Sequence, residues 1–127
     1  MKISTIMKRD LLVAMPAMSL VEATQLLITN KITGLPVIDS QRHIIGVITE
    51  MDLIRVVANP HRKWSTVAQA MTPDPVTVDI NEPLHTVFDC LMTHEFRRVF
   101  VKEQGRLAGM ISRTDLLPCI LDQLVKK

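Results

Sequence analysis

One seven-residue pattern occurs twice in this chain, and it limits the fold more than any other feature of the sequence. Gly46 to Asp52 and Gly109 to Asp115 both run from a small residue through apolar residues to a hydroxyl side chain, with a carboxylate three positions later. The apolar part predicts a buried strand, and the hydroxyl and carboxylate match the capping box at a helix start. A chain of 127 residues that repeats such a junction is predicted to consist of two similar halves.

Further correspondences extend the repeat along the chain. Met7 and Met71 lie 64 positions apart, as do Asp10 and Asp74. Each half is predicted to run strand, helix, strand, strand, helix, and the two later strands should form a hairpin around a polar turn. The predicted strands are 11–14, 35–38, 44–49, 76–78, 99–101 and 107–112, and the predicted helices are 20–28, 50–58, 84–92 and 113–125. We therefore expect a first repeat at 1–58, a linker at 59–64 and a second repeat at 65–127.

Composition narrows the class of protein. The content is 47% hydrophobic but only 3% aromatic, so the core must be aliphatic, and halves of this size should pack on each other to bury enough surface. A net charge of +2 does not favour nucleic acid or membrane surfaces as partners. No apolar run approaches the length of a membrane span and no export signal is visible, so a cytoplasmic location is expected. Cys90 and Cys119 are predicted to be reduced core thiols, and the four histidines lack the spacing of metal ligands.

The repeated junction has two compatible interpretations. In the structural one, Thr49 and Ser112 cap a helix, and Asp52 and Asp115 support its first turn. In the functional one, the same helix start attracts an anion and the carboxylate accepts hydrogen bonds from ribose hydroxyls. The pattern therefore suits both a capped helix and a nucleoside phosphate site.

Taken in order, four segments of the chain resemble tandem CBS domains, the module named after cystathionine β-synthase. They are residues 35–39, 46–53, 70–78 and 109–116. The resemblance implies an α/β (α+β) fold of two β-α-β-β-α repeats, packed through their sheets with pseudo-twofold symmetry. It also implies a regulatory module rather than an enzyme, which binds AMP, ADP, ATP or S-adenosylmethionine in clefts between the repeats, needs no cofactor and modulates a partner protein.

The resemblance also assigns site residues by position. The aspartate would hold the ribose hydroxyls, the hydroxyl side chain would lie near ribose or phosphate, and the opposite wall would come from the other repeat. One cleft would combine Thr49 and Asp52 with Met71, Val76, Phe96, Arg97 and Arg98. The other would combine Ser112, Arg113 and Asp115 with Met7, Leu12, Ile32 and Thr33.

The two clefts are expected to be unequal. Basic residues before the second strand meet phosphates in relatives, and this position holds Arg97 and Arg98 in one repeat but Thr33 and Gly34 in the other. The cleft at Asp52 should therefore carry more fixed positive charge. Two departures from the family pattern, Phe100 at a usual proline and the apolar segment 11–18 at a usual polar turn, also favour unequal ligand binding.

The sequence bears on two other classes of function. In one, the chain is an assembly module that homodimerises through the final helix of each repeat and binds no nucleotide, because those helices carry more apolar residues than such small halves can bury. In the other it is an enzyme. We expect no enzyme, because the sequence shows no paired nucleophile and base, no metal-binding pattern and no glycine-rich phosphate loop.

Overall fold

The fold is mixed α and β, as the sequence predicts. The computed structural model describes residues 1–94 and 97–126. These form two compact units, one made of Leu12–Pro75 and the other of Met1–Leu11 with Val76–Lys127, and each unit contains a three-stranded sheet. Contacts in space thus group the chain differently from the predicted repeats, because the opening residues of each repeat belong to the unit of the other. The repeat boundaries at 1–58 and 65–127 stay a prediction about the sequence.

The unit of Leu12–Pro75 is built around two antiparallel strands and a helix start. Ser19 caps its first long helix by accepting a hydrogen bond from the Glu22 N–H at 3.0 Å, and the helix ends where Lys31 adopts a left-handed conformation with φ 54°. The elements are α2 (Leu20–Asn30), β1 (Gly34–Ile38), β2 (Ile44–Thr49), α3 (Glu50–Ala58), α4 (Val67–Ala70) and β3 (Thr72–Pro73). The strands lie in the sheet in the order β1-β2-β3.

The core of this unit is aliphatic, as the composition requires. Leu35, Val37 and Ile48 of the sheet are fully buried against the inner face of α2. Val67 of the four-residue helix α4 is also fully buried in this cluster, and Trp64 packs at its edge. The start of the second repeat thus completes the core of this unit.

The second unit also has a three-stranded sheet, but one of its two strand pairings is parallel. The sheet contains, in this order, β4 (Thr77–Asp79), β5 (Arg98–Glu103) and β6 (Arg106–Ser112). β4 runs parallel to β5, and β5 runs antiparallel to β6. Gln104 and Gly105 connect the hairpin with φ values of 53° and 78°, as a two-residue turn of the primed type requires. The elements are α1 (Ile3–Ile6), β4 (Thr77–Asp79), α5 (Leu84–His94), β5 (Arg98–Glu103), β6 (Arg106–Ser112), a 3₁₀ turn (Thr114–Leu116) and α6 (Leu117–Val125).

The opening residues of the chain complete the core of this second unit. Ile3 of α1 is fully buried and Met7 nearly so, in one cluster with Val99 and Ile111 of the sheet. Lys8 and Met110 exchange backbone hydrogen bonds at 2.8 and 2.9 Å, which fixes the segment against the middle of β6.

Two predicted elements differ from the structure, each because of a proline. The predicted strand at 11–14 is reduced to one parallel bridge between Ala14 and Val37. The next rung of this parallel ladder would need the N–H of residue 36 to donate to the Leu12 carbonyl, and Pro36 has no N–H. The predicted helix at 113–125 begins with a 3₁₀ turn, in which Leu117 N–H bonds to the Thr114 carbonyl, because Pro118 has no N–H for the α-helical bond to that carbonyl.

The sequence prediction contained neither α1 nor α4. Helices of four residues are too short for hydrophobic periodicity to reveal. For α4 a capping box was available as a signal, since the Gln69 side chain accepts hydrogen bonds from the N–H groups of Ser65 and Thr66.

Candidate functional site

The first candidate site is the junction where β2 ends and α3 begins. Thr49 accepts a hydrogen bond from the Asp52 N–H at 3.3 Å through its hydroxyl, and Asp52 Oδ2 accepts one from the Thr49 N–H at 2.8 Å. The two residues thus form a complete capping box, which confirms the structural interpretation of the pattern. The acidic side chain also lies at the positive end of the helix dipole.

Asp52 is the buried charged residue of this unit, with 4% of its surface exposed. Oδ2 accepts a second hydrogen bond, from the Thr49 hydroxyl at 2.9 Å, and Oδ1 accepts one from the Thr72 hydroxyl at 2.9 Å. Arg55 Nη1 lies 3.5 Å from Oδ1. A buried carboxylate needs such partners, because an unsatisfied one would cost several kcal/mol.

The second junction, after β6, has the same backbone plan but different side-chain contacts. Asp115 Oδ2 accepts from the Ser112 N–H at 2.8 Å, and the Asp115 N–H lies 3.4 Å from the Ser112 hydroxyl oxygen. That hydroxyl is also paired with the hydroxyl of Thr114 at 2.9 Å. Lys8 Nζ lies 3.5 Å from Asp115 Oδ1 in an ion pair.

At each junction, a methionine and the residue after it pack closely against the glycine of the motif. A Cβ atom on Gly46 would lie 2.6 Å from the sulfur of Met71 and 3.0 Å from the Thr72 carbonyl oxygen. On Gly109 it would lie 2.7 Å from the sulfur of Met7 and 2.8 Å from the Lys8 carbonyl oxygen. The small residue at the head of the motif is therefore required by the close approach of a second backbone.

The structure brings some of the predicted site residues together within a unit. Met71 lies with Thr49 and Asp52, and Met7 with Ser112 and Asp115, as their contacts with the motif glycines show. Residues before the second strand lie beside the junction of their own unit: the Thr33 carbonyl accepts from the Glu50 N–H at 3.0 Å.

The same arrangement holds at the second junction. The Arg97 carbonyl accepts from the Arg113 N–H at 3.1 Å, and Arg98 is opposite Ser112 in the strand register. Of the residues assigned to the opposite walls, Val76, Arg97 and Arg98 lie in the unit of Asp115, and Leu12, Ile32 and Thr33 lie in the unit of Asp52. The grouping of these residues across the two repeats, and the excess positive charge expected from it at Asp52, stay predictions. Phe96 lies outside the described residues.

Sequence reasoning missed three residues that contact the carboxylates, namely Lys8, Arg55 and Thr72. It also missed Thr114, which contacts the Ser112 hydroxyl. A signal was present for two of them. Lys8 and Thr72 follow the paired methionines Met7 and Met71, so the repeat itself aligns them.

The cysteines and metal-ligating side chains suggest no further chemistry in the described part of the chain. Cys119 is buried and Cys90 is half-buried, and both are free thiols. Burial raises the pKa of Cys90, and the nearby Glu82 carboxylate raises it further, so the nucleophilic thiolate is disfavoured. Within residues 1–94 and 97–126, no group of three His, Cys, Asp or Glu side chains is placed to hold a metal ion, and no helix is long and apolar enough to cross a membrane.

Two helices expose apolar side chains. On α3, Met51, Ile54 and Val57 are at least half exposed. On α6, Leu117, Leu121, Leu124 and Val125 follow helical spacing and are between 57% and 75% exposed. These faces are the ones from which the sequence predicts self-association.

Comparisons with known proteins agree on the type of domain. The family model described as "CBS domain" matches this chain twice, at residues 3–59 and 67–122. The crystal structure of CBSX2, a protein of Arabidopsis thaliana, in complex with AMP has a TM-score of 0.85 and 30% identity to this chain, and the match covers 99% of this chain and 98% of that one.

Curated relatives include proteins of several lengths. An uncharacterized 17.7 kDa protein from Acidianus ambivalens is 30% identical over 122 residues, which are 95% of this chain and 74% of that protein. Inosine-5'-monophosphate dehydrogenase from Pasteurella multocida is 34% identical over 103 residues, covering 79% of this chain and 20% of the enzyme. The chain spans less than two thirds of the length of several other relatives.

Proposed function

Because this chain belongs to the CBS-domain family, we propose that it is a regulatory module that binds an adenine nucleotide or related adenosyl ligand at its Thr/Ser-x-x-Asp junctions. The observation that carries the proposal is the duplicated junction, in which a carboxylate is fixed at a helix start beside a hydroxyl group. A fixed carboxylate can accept hydrogen bonds from vicinal ribose hydroxyls, and the helix start favours a negative charge nearby. The complex of the similar protein CBSX2 with AMP supports this class of ligand.

The proposed mechanism is regulation rather than catalysis. A ligand can change the behaviour of the module only by the difference between its affinities for two arrangements of the protein. Binding would therefore shift the affinity for a regulated partner protein, and no cofactor would be required. We place this activity in the cytoplasm.

Calorimetric titration with AMP tests the proposal. We expect saturable binding below about 1 mM, with ADP, ATP and S-adenosylmethionine titrated in parallel to rank the ligands. The double variant Asp52→Asn with Asp115→Asn should lose binding, because neither amide can replace a carboxylate that accepts ribose hydroxyls. Asp89→Asn, which changes an exposed carboxylate on α5, is the matched control. The absence of heat with all four ligands, or unchanged binding by the double variant, would contradict the proposal.

A second candidate function is assembly, and the exposed apolar face of α6 favours it. Leu117, Leu121 and Leu124 lie on one side of a nine-residue helix, and a second copy of this chain offers the same surface in return. We therefore propose a homodimer. Dimerisation is compatible with ligand binding, and it would also be the function of the module if the module bound no nucleotide.

Light scattering tests the dimer. The purified chain is expected at about twice its 14.3 kDa mass, and Leu121→Glu should shift it toward the monomer, because a charge would be buried in an apolar interface. Gln123→Glu adds a charge on the other side of the same helix and should leave the mass unchanged. A wild-type chain that is monomeric at all concentrations, with and without AMP, would exclude the dimer.

A further inference from the structure

Lys8 and Thr72 occupy equivalent places in the two units but differ in chemistry. Each follows a methionine that packs on the motif glycine, and each belongs to a segment paired with the strand that leads to the junction. Each also contacts the Oδ1 atom of the junction aspartate, Lys8 at Asp115 and Thr72 at Asp52. One carboxylate is thus contacted by an ammonium group and the other by a hydroxyl group.

At Asp52 the acceptor capacity of the carboxylate is already used. A carboxylate offers about four lone-pair sites. Thr49 supplies two donors to Oδ2, and Thr72 and Arg55 approach Oδ1. Three of these contacts are hydrogen bonds of 2.8 to 2.9 Å from short side chains or backbone. Displacing Arg55, whose side chain is 63% exposed, would free one site at Oδ1. A second ribose hydroxyl would then have to break one of the three hydrogen bonds to this buried carboxylate, where a lost hydrogen bond to a charged group is costly.

At Asp115 fewer acceptor sites are occupied: among the described residues, the Ser112 N–H contacts Oδ2 and Lys8 contacts Oδ1. The ion pair with Lys8 spans 3.5 Å, and the lysine side chain is 62% exposed. Exposed ion pairs of this kind contribute little stability, because solvent screens them and a long side chain must be held in place. The Ser112 hydroxyl is shared with Thr114, whereas the Thr49 hydroxyl donates to its aspartate.

We propose that the junction at Asp115 is the one that takes the ligand, and that Lys8 is the residue that selects an anionic ligand there. This inference rests on the proposed function and deepens it. The ribose hydroxyls displace Lys8 from Asp115 Oδ1, and the released ammonium group pairs with the ligand phosphate. The junction at Asp52 is chiefly structural, since its carboxylate ties β2, α3 and β3 together.

Paired titrations with AMP and adenosine test the selection by charge. Both probes carry the same ribose hydroxyls, but only AMP carries a phosphate. Lys8→Thr, which reproduces the residue found at position 72, should weaken AMP binding about tenfold and change adenosine binding by less than about twofold. Lys2→Thr removes the same charge from an exposed position in the same segment and is the matched control. Equal losses for both ligands, or no loss of AMP affinity, would overturn the role of Lys8.

Stoichiometry and a second variant test the choice of junction. The wild-type chain should bind one AMP per chain, and Asp115→Asn should abolish binding of AMP and adenosine while its thermal unfolding shows a folded protein. Two equivalent sites per chain, or wild-type AMP affinity in Asp115→Asn, would overturn the assignment. In either case AMP still binds, so the proposed function survives. If the wild-type chain binds neither adenosine nor any of the four ligands AMP, ADP, ATP and S-adenosylmethionine, both the proposed function and this inference are wrong.

Discussion

Replacing Asp52 with alanine is expected to lower the free energy of unfolding by about 3 kcal/mol. The change removes a carboxylate that is 4% exposed and leaves its donors without an acceptor. The Thr49 N–H loses its capping partner, and the Thr72 hydroxyl loses the contact that ties β3 to the junction. The Thr49 N–H is left unsatisfied at a half-buried position, which costs more than the hydrogen bond contributed.

Urea unfolding followed by tryptophan fluorescence measures this effect. The chain contains a single tryptophan, Trp64, which packs on the core of the same unit as Asp52. Asp89→Ala removes an exposed carboxylate from α5 and should change the free energy by less than about 0.5 kcal/mol. A loss at Asp52 no larger than in that control would show that the network of Asp52 does not stabilise the fold.

Replacing Gly109 with valine should be comparably severe, for a steric reason. Even the first carbon of the new side chain would lie 2.8 Å from the carbonyl oxygen of Lys8, and backbone cannot move aside as a flexible side chain can. The segment that holds Lys8 must then separate from β6, and overpacking of this kind costs about 1 to 3 kcal/mol or more. AMP affinity should fall as well, because Lys8 is carried away from Asp115.

Thermal unfolding measured by circular dichroism, with AMP titration at a temperature where the variant is folded, checks both consequences. Arg106→Val places the same side chain at an exposed position of the same strand and should leave stability nearly unchanged. If Gly109→Val melts at the temperature of that control, the close contact with the Lys8 backbone is not maintained in solution.

The parts of the site that could be predicted from the sequence are those formed by residues close together in the chain. The capping box at Thr49 and the reciprocal hydrogen bonds between Ser112 and Asp115 span three positions, so their spacing alone predicted them. Ser112 does not itself cap the helix, because a 3₁₀ turn with Arg113 at its N-cap follows it. The contact between Thr72 and Asp52 crosses 20 positions, and Lys8 and Asp115 come from opposite ends of the sequence. Periodicity carries no information about such contacts, and only the alignment of the two repeats indicates them.

The difference between local and long-range signals also explains which parts of the fold were predicted correctly. Strands at 44–49 and 107–112 and the hairpins were predictable because apolar runs and polar turns are local signals. The errors at 11–14 and at the start of α6 came from giving too little weight to Pro36 and Pro118, although each is visible in the sequence. The four-residue helices form because tertiary packing buries Ile3 and Val67, which no local pattern expresses.

The opening residues of each repeat belong to the unit formed by the rest of the other repeat. This arrangement sets an order in which the chain can fold during synthesis. Every residue of the unit Leu12–Pro75 is contiguous, so the ribosome can complete that unit before residues 76–127 have been made. The other unit joins Lys8 to Met110 across about 100 residues, and this closure must wait until β6 has been made. Until then Ile3 and Met7 have no core to enter, and a second nascent chain offers them the same docking site. Cutting the chain at the linker would therefore separate each sheet from the segment that completes it, and would not release two intact domains.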